Sequence, residues 1–483
     1  MEHISIITPS KTDDLESKMN GYHLTELGLA KRLVAKYGKD LRYSYELGKW
    51  FIWDGKRWFM DSGDKIMTLM KSIVSDLFIE AGLATDSDER KQIAKFALRC
   101  EKGSSINDGI YLAQSEPGVP IRIKDMDSDP LLLNLKNGVF DFRKLTLLEH
   151  KREFYITKLL NVDYIPDAEC PEWLKTLNYA TNGDKELQNY LQRVFGYTLT
   201  GDVSECGLFF FYGPTKTGKT TITGTIYDLM GSDYAKDTPL TTITVNKKAE
   251  SNDDMARLAG SRMVKVSETE AHSRLATGFI KYLTGNESEI TGRYLYHERF
   301  NFKPTFKFFI TGNYKPIIPG DDSGAWERIH LIPFKSYVPP EKRVKRLRED
   351  VLSKEYSGIL LWCINGYIEL QEIGDLKKPK CVMDEVKIYQ NDMDSIGQWL
   401  DECCNVNPKF KCSTDNLYNS YKEYCTRNEL NYKSKTAFGT DLGNRGFQKY
   451  REGNDRGRIG VDLKGESGNE AKNEAKKQID MDI

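Results

Sequence analysis

Eight residues constrain this chain more than any others: Gly213, Pro214, Thr215, Lys216, Thr217, Gly218, Lys219 and Thr220. They fit G-x-x-x-x-G-K-[S/T] without a gap. An apolar run, Leu208 to Tyr212, comes before them, and a helix-like stretch, Thr221 to Met230, comes after. Strand, glycine-bracketed turn and helix in that order predict a phosphate-binding loop. Its glycines let backbone N–H groups turn inward around an anion. The helix adds the positive end of its dipole. In this pattern Lys219 reaches the outer phosphates of a nucleoside triphosphate, and Thr220 offers its hydroxyl to Mg2+. ATP and Mg2+ are the expected cofactors, with residues 213–221 as the binding segment. The loop alone fits a kinase, a GTPase, a motor or a switch, so neighbouring motifs must decide.

At 483 residues the chain exceeds one hydrophobic core, and about two to four domains are expected. Lys plus Arg is 70 against 71 for Asp plus Glu, so any nucleic-acid surface must be local. The first twenty residues are polar, and no apolar run approaches the roughly 20 residues that cross a bilayer. A soluble cytoplasmic protein without membrane partners is expected. The nine cysteines are scattered. Cys403, Cys404, Cys412 and Cys425 lack paired C-x2-C spacing, so they read as reduced thiols rather than a metal site.

Residues 1–205 read as a mixed α/β region. Asp54-Gly55 and Asn137-Gly138 each sit between strand-like runs as hairpin turns. Helical periodicity covers 64–100 and 172–200. The aspartates of "KDMDSDP" (124–130) sit among turn formers and read as a loop, so primer synthesis is not expected. Residues 206–345 alternate apolar runs with helical stretches, which predicts a mostly parallel sheet in an α/β core. Residues 346–394 read as a helical connector, 395–464 as a separate small domain, and 465–483 as a disordered tail.

A triphosphatase needs a carboxylate at a strand end beside the loop, for Mg2+ and for polarising the attacking water. "RMVKVSETE" ends in Glu268 and Glu270. Glu268 is the stronger metal and catalytic candidate, and Glu270 shares the work or caps a helix start. "FKFFITGN" ends in Asn313, whose amide can orient the lytic water or simply make a turn. "GAWERIHLIPF" places Arg328 before a last strand, either as a charge for a neighbouring subunit's γ phosphate or as an ion pair with Glu327.

In this order the motifs resemble superfamily 3 helicases, of the phage, plasmid and poxvirus primase-helicase type. "LNLKNGVFDFRKLTLLEH" and "LQRVFGYTLTGD" are similar to the domain that precedes those motors. The resemblance implies an AAA+-like fold and a hexameric ring moving along single-stranded DNA, usually 3′ to 5′. It implies residues 213–220 as the A motif, Glu268 and Glu270 as the B motif, Asn313 as the sensor and Arg328 as the arginine finger. Here Thr269 separates acids that are adjacent in many relatives. It also implies a channel lysine at Lys281 and a hairpin with Arg293, Tyr296, His297 and Arg299 near its tip, suited to phosphates and bases.

Residues 395–464 suggest helices followed by a basic hairpin, in winged-helix style. Lys409 to Lys464 contains 12 Lys or Arg against 7 Asp or Glu, an excess of 5. Lys433, Lys435 and Arg445 would flank the recognition helix, and Lys449, Arg451, Arg456 and Arg458 would line the wing against DNA phosphates. The expected function is an ATP-dependent replicative helicase or initiator of a mobile genetic element. It would act on single-stranded and origin DNA and engage host replication proteins. The competing readings are a nucleotide or small-molecule kinase, and an ATP-switched DNA-binding regulator.

Overall fold

The computed structural model describes residues 22–244, 255–266, 273–285, 289–293, 299–318, 322–428, 430, 432–453 and 455–465. The N-terminal body begins with α1 (Glu26–Tyr37), whose Thr25 side chain accepts from Gly28 N. A meander of β1 (Leu41–Ser44), β2 (Lys49–Trp53) and β3 (Trp58–Met60) follows, turning at Asp54-Gly55. Next come α2 (Asp64–Leu83), α3 (Ser87–Cys100) and α4 (Gly103–Ala113). The single helical period of 64–100 is thus two helices. Asp86 ends the first pattern by capping the second at Asp88 N. These elements share one core around Leu33, Met70, Leu77 and Phe96.

A second meander, β4 (Leu132–Leu135), β5 (Gly138–Asp141) and β6 (Thr146–Leu148), leads to α5 (Pro171–Ala180) and α6 (Lys185–Thr198). The aspartates before it stitch the chain together. Asp127 accepts from Thr157 N at 2.7 Å, and Asp129 from Leu131 N at 3.0 Å and Arg143.

The centre is a five-stranded parallel sheet. Its strands are β7 (Leu208–Tyr212), β8 (Ala235–Thr238), β9 (Met263–Val266), β12 (Lys307–Gly312) and β13 (Ile329–Pro333), ordered β13-β7-β12-β9-β8. Between β7 and β8 runs α7 (Lys219–Tyr234). Between β9 and β12 lie α8 (Thr277–Thr284) and an antiparallel pair, β10 (Ile290–Arg293) with β11 (Arg299–Phe302). The short α9 (Ser323–Arg328) enters β13.

Side chains alternate across a strand, so the aromatic run of β7 serves two faces. Phe209 and Phe211 join Phe309 in a layer with α5 and α6, while Leu208 and Phe210 join Phe308 and Ile310 in the layer under α8. Both faces are covered, which is why these strands are apolar throughout.

After the sheet, α10 (Tyr356–Ile373) and α11 (Lys380–Met393) pack back onto it rather than stand apart. Leu360, Cys363 and Ile364 belong to the same cluster as Phe195 and Phe211. A Cβ at Gly196 would meet Cys363 O at 2.3 Å, and one at Gly366 would meet Gln192 O at 2.1 Å. Two glycines thus let α6 and α10 cross at backbone contact.

The last body comprises α12 (Ser395–Cys403), β14 (Cys404–Ser413), α13 (Thr414–Arg427), α14 (Lys435–Asn444), β15 (Lys449–Glu452) and β16 (Asp455–Leu463). The strands form an antiparallel sheet, β14-β16-β15, over a core of Trp399, Tyr421 and Phe438. Ser434 caps α14 through Ala437 N. The sequence patterns missed β8, which is mostly polar, and β14, where half the residues are polar.

Candidate functional site

Numbered by their order after the loop-bearing strand, the central strands run 5-1-4-3-2. The neighbours of β7 on both sides therefore come late in the chain. Ligands of open parallel sheets bind at such a switch point, outside the strands' carboxyl ends. A cleft of about 180 Å3 opens there, lined by residues 215–221 with Thr311, Gly312 and Asn313.

The loop geometry follows from its glycines. Gly213 has φ +148°, and a Cβ there would meet Phe334 O at 2.0 Å. Gly218 has φ +90°, and a Cβ there would meet the Ala180 methyl at 3.0 Å. Lys216 also adopts a left-handed φ of 62°, and the backbone turns its N–H groups accordingly. Lys219 is 6% exposed. Its ammonium donates to Gly213 O at 2.7 Å, Pro214 O at 2.6 Å and the Asn313 Oδ1 at 3.0 Å. Gly312 pairs with Tyr212, so Asn313 emerges beside the loop and meets Lys219 across the cleft. Thr220 is exposed and lines the same cleft with an oxygen donor of the hard type that Mg2+ prefers.

Parallel β9 aligns Val266 with Ile310, so it too points toward this edge. Glu268 and Glu270 lie outside the described residues, as do Tyr296 and His297. Arg293 pairs with Arg299 in the β10–β11 ladder that flanks the latter two.

Arg328 stands at the other end of the sheet. The next residue, Ile329, pairs with Leu208, at the start of β7, whereas the loop leaves β7 after Tyr212. Four strand steps of about 3.3 Å separate those levels by roughly 13 Å. This is too far for Arg328 to serve its own phosphate loop. It donates to Gly324 O at 2.8 Å, and among the described residues it has no ion pair, with Glu327 or otherwise. Its buried Nε has no hydrogen-bond partner there. Lys281 ion-pairs with Asp322, the N-cap of α9. Burial would raise the Asp322 carboxyl, but hydrogen bonds from Lys281 and Thr277 hold it below its ordinary range.

In the C-terminal body the expected cations divide. Lys449, Arg451 and Arg456 are exposed. Arg451 pairs directly with Arg456 across the β15–β16 hairpin. Lys435 is exposed but ion-paired with Asp415. Lys433 and Arg445 instead converge on the buried Asp441, at 2.6 and 2.7 Å. Arg445 also binds Asp394 at 2.6 Å, so both cations staple α14 to the body. Arg458 corrects the expected wing. It is 3% exposed and donates to Phe447 O and Gly439 O. Arg456 and Arg458 share a face, but α14 covers that face at Arg458. Gly439 and Gly443 leave the room, with Cβ positions 3.5 Å from its two terminal nitrogens. Two glycines four apart in a helix were the signal in the sequence.

Three family models match successive stretches of the chain. The family described as "D5 N terminal like" matches residues 30–182. "Family of unknown function (DUF5906)" matches 211–328, and "Poxvirus D5 protein-like" matches 391–481. The chain is similar to "Putative helicase L207/L206" of Acanthamoeba polyphaga mimivirus, 25% identical over 86% of this chain and 47% of that protein. It is similar to "Putative helicase 022R" of Frog virus 3, 24% identical over 63% of this chain and 39% of that protein. "Primase D5" of fowlpox virus is 25% identical over 54% of this chain and 36% of that protein. The chain thus spans less than half the length of these relatives. Among solved structures, the apo NrS-1 C-terminal region shares the fold at a TM-score of 0.51 and 12% identity, covering 91% of this chain and 99% of that one.

Proposed function

The chain belongs to the D5-like family of the superfamily 3 primase-helicase type, and on that premise we propose that it is an ATP-driven DNA helicase of a mobile genetic element. The observation that carries this reading is the Lys219–Asn313 contact across the cleft at the switch point. It puts an amide beside the lysine that would hold the outer phosphates. Bound Mg2+ would neutralise developing phosphate charge, held through Thr220 and Glu268. Asn313 would orient the attacking water, and Glu268 or Glu270 would polarise it.

Arg328 acts in trans in this proposal. Its place at the far sheet edge suits a ring, likened to the family's hexamer, in which nucleotide lies at the seam between copies. Loss of the γ phosphate would release Arg328 and shift the β10–β11 hairpin against one DNA strand. Arg293, Tyr296, His297 and Arg299 would grip that strand. Lys281, held by Asp322, would sense the movement of α9. The exposed Lys435, Lys449, Arg451 and Arg456 would bind origin duplex in winged-helix fashion. Like charges paired at Arg451 and Arg456 repel unless an anion lies between them.

The test is ATPase activity with and without single-stranded DNA, alongside native mass. DNA-stimulated turnover by a ring, lost in Lys219→Ala, is expected. DNA-independent turnover from a stable monomer would instead favour a kinase.

A further inference from the structure

The cleft suits phosphates, but among the described residues its lining offers nothing for a nucleoside base. Its lining is threonine, glycine, lysine and one asparagine, with no ring among them. A base needs a flat face, and stacking on aromatic side chains is a main source of its binding energy.

The phosphate loop is laced on two sides to exposed tyrosines. On one side Val338 N donates to Lys216 O at 3.0 Å. Its neighbour Tyr337 is 62% exposed. On the other side Gly218 packs against Ala180, whose neighbour Tyr179 is 41% exposed. Two consecutive cations join these rings. The Lys342 ammonium lies 4.9 Å from the Tyr179 ring centre. The Arg343 guanidinium lies 5.2 Å from the Tyr337 centre and donates to the Tyr337 hydroxyl at 2.8 Å. Arg343 also donates to Val338 O at 2.9 Å, which fixes the turn against the loop. A cation on one face of a ring leaves the other face open to a base.

We propose that Tyr179 and Tyr337, spanned by Lys342 and Arg343, form a purine-binding platform for the nucleotide whose phosphates occupy the loop. The proposal rests on the nucleotide-binding reading and adds base recognition to it. Stacking would favour the larger purine face, so ATP should bind better than a bare phosphate chain.

The test compares equilibrium binding of Mg-ATP and Mg-tripolyphosphate to the full chain. Tyr337→Ala and Tyr179→Ala should each weaken ATP roughly ten-fold. Tripolyphosphate binding should stay unchanged, and Tyr337→Phe should keep most of the ATP affinity. Both tyrosines are exposed, so folding should survive, which thermal unfolding checks. Unchanged ATP affinity would overturn the proposal. Equal weakening of both ligands would also overturn it, because that marks a role in loop shape. Tyr314, beside Asn313 and 58% exposed, is the competing ring. A loss confined to Tyr314→Ala would move the base to the other side of the cleft and overturn the platform. Lys219→Ala should lose both ligands, and if it keeps both, the nucleotide reading itself fails.

Discussion

Lys219 and Lys307 stand at opposite strand ends of one parallel sheet, 6% and 2% exposed. Both point their ammonium groups at backbone carbonyls. Lys219 binds Gly213 O and Pro214 O, while Lys307 binds Thr200 O at 2.6 Å and lies 4.3 Å from the Tyr197 ring centre. The surroundings differ. Lys219 borders a cleft of about 180 Å3 built from loop amides. Lys307 sits in packed core beside Arg262, which donates to Leu199 O and Leu132 O. Leu199 is the C-cap of α6, so these two cations meet the negative end of that helix. Burial pushes the Lys307 and Arg262 pKa values down, and among the described residues no carboxylate is bonded to either. A buried cation is thus no mark of chemistry by itself. An adjoining cleft with convergent donors makes the difference.

The contrast breaks if the two lysines respond alike to removal. Lys219→Ala should lower ATP turnover by at least about 100-fold while leaving the thermal midpoint nearly unchanged. Lys307→Met should do the reverse. It lowers the midpoint, at a cost of about 1–3 kcal/mol for the orphaned Thr200 carbonyl, with turnover per folded chain intact. Turnover and unfolding curves for both variants decide the matter.

A second pair sharpens the contrast on the C-terminal hairpin. Arg451→Ala combined with Arg456→Ala should weaken duplex binding uniformly across sequences and reduce the salt slope by about 2. Arg458→Ala should reduce stability and leave the slope of the folded protein unchanged. DNA titrations across a salt series would show it, and an equal slope change for Arg458 would contradict its burial.

The smallest effect concerns pH at the sheet's far edge. His330 is buried against Tyr190, and burial, aided by Lys378, holds its pKa well below the ordinary value. As pH falls below about 6.5, the unfolded chain takes a proton that the folded chain refuses. Stability is therefore full above that pH and declines below it, by up to about 1.4 kcal/mol per unit. His330→Phe should flatten this segment of a stability–pH curve, whereas a titration of ATP affinity over the same range should not track His330.

What was legible in the sequence was contiguous. The phosphate loop, its strand and its helix form one run. The strands "FKFFITGN" and "RIHLIPF" announce themselves because both faces of each are covered. The strand β8, with sequence AKDT, carries no such signal, since an edge strand can be polar. The region after residue 346 reads as a connector because charged stretches flank it, although residues 359–368 carry no charge at all. Only the Gly196–Gly366 crossing reveals that α10 completes the core against α6. The burial of Lys307, Arg262 and Arg458 was illegible for the same reason. Each donates to carbonyls at least 11 residues away in sequence, and charged residues are expected outside unless paired. Asn313 was legible as a strand-end residue, but its meeting with Lys219 depends on the strand order.

The central claim is that nucleotide held by Lys219 of one copy is completed by Arg328 of the next. The most direct measurement mixes Lys219→Ala and Arg328→Ala proteins and follows DNA-stimulated ATP hydrolysis against their ratio. Each alone should be nearly inactive. Mixed rings should recover turnover, highest near equal proportions, because some seams then carry an intact loop and an intact arginine. If co-assembled mixtures never exceed the sum of the separate proteins, Arg328 does not act across the seam and the account is wrong.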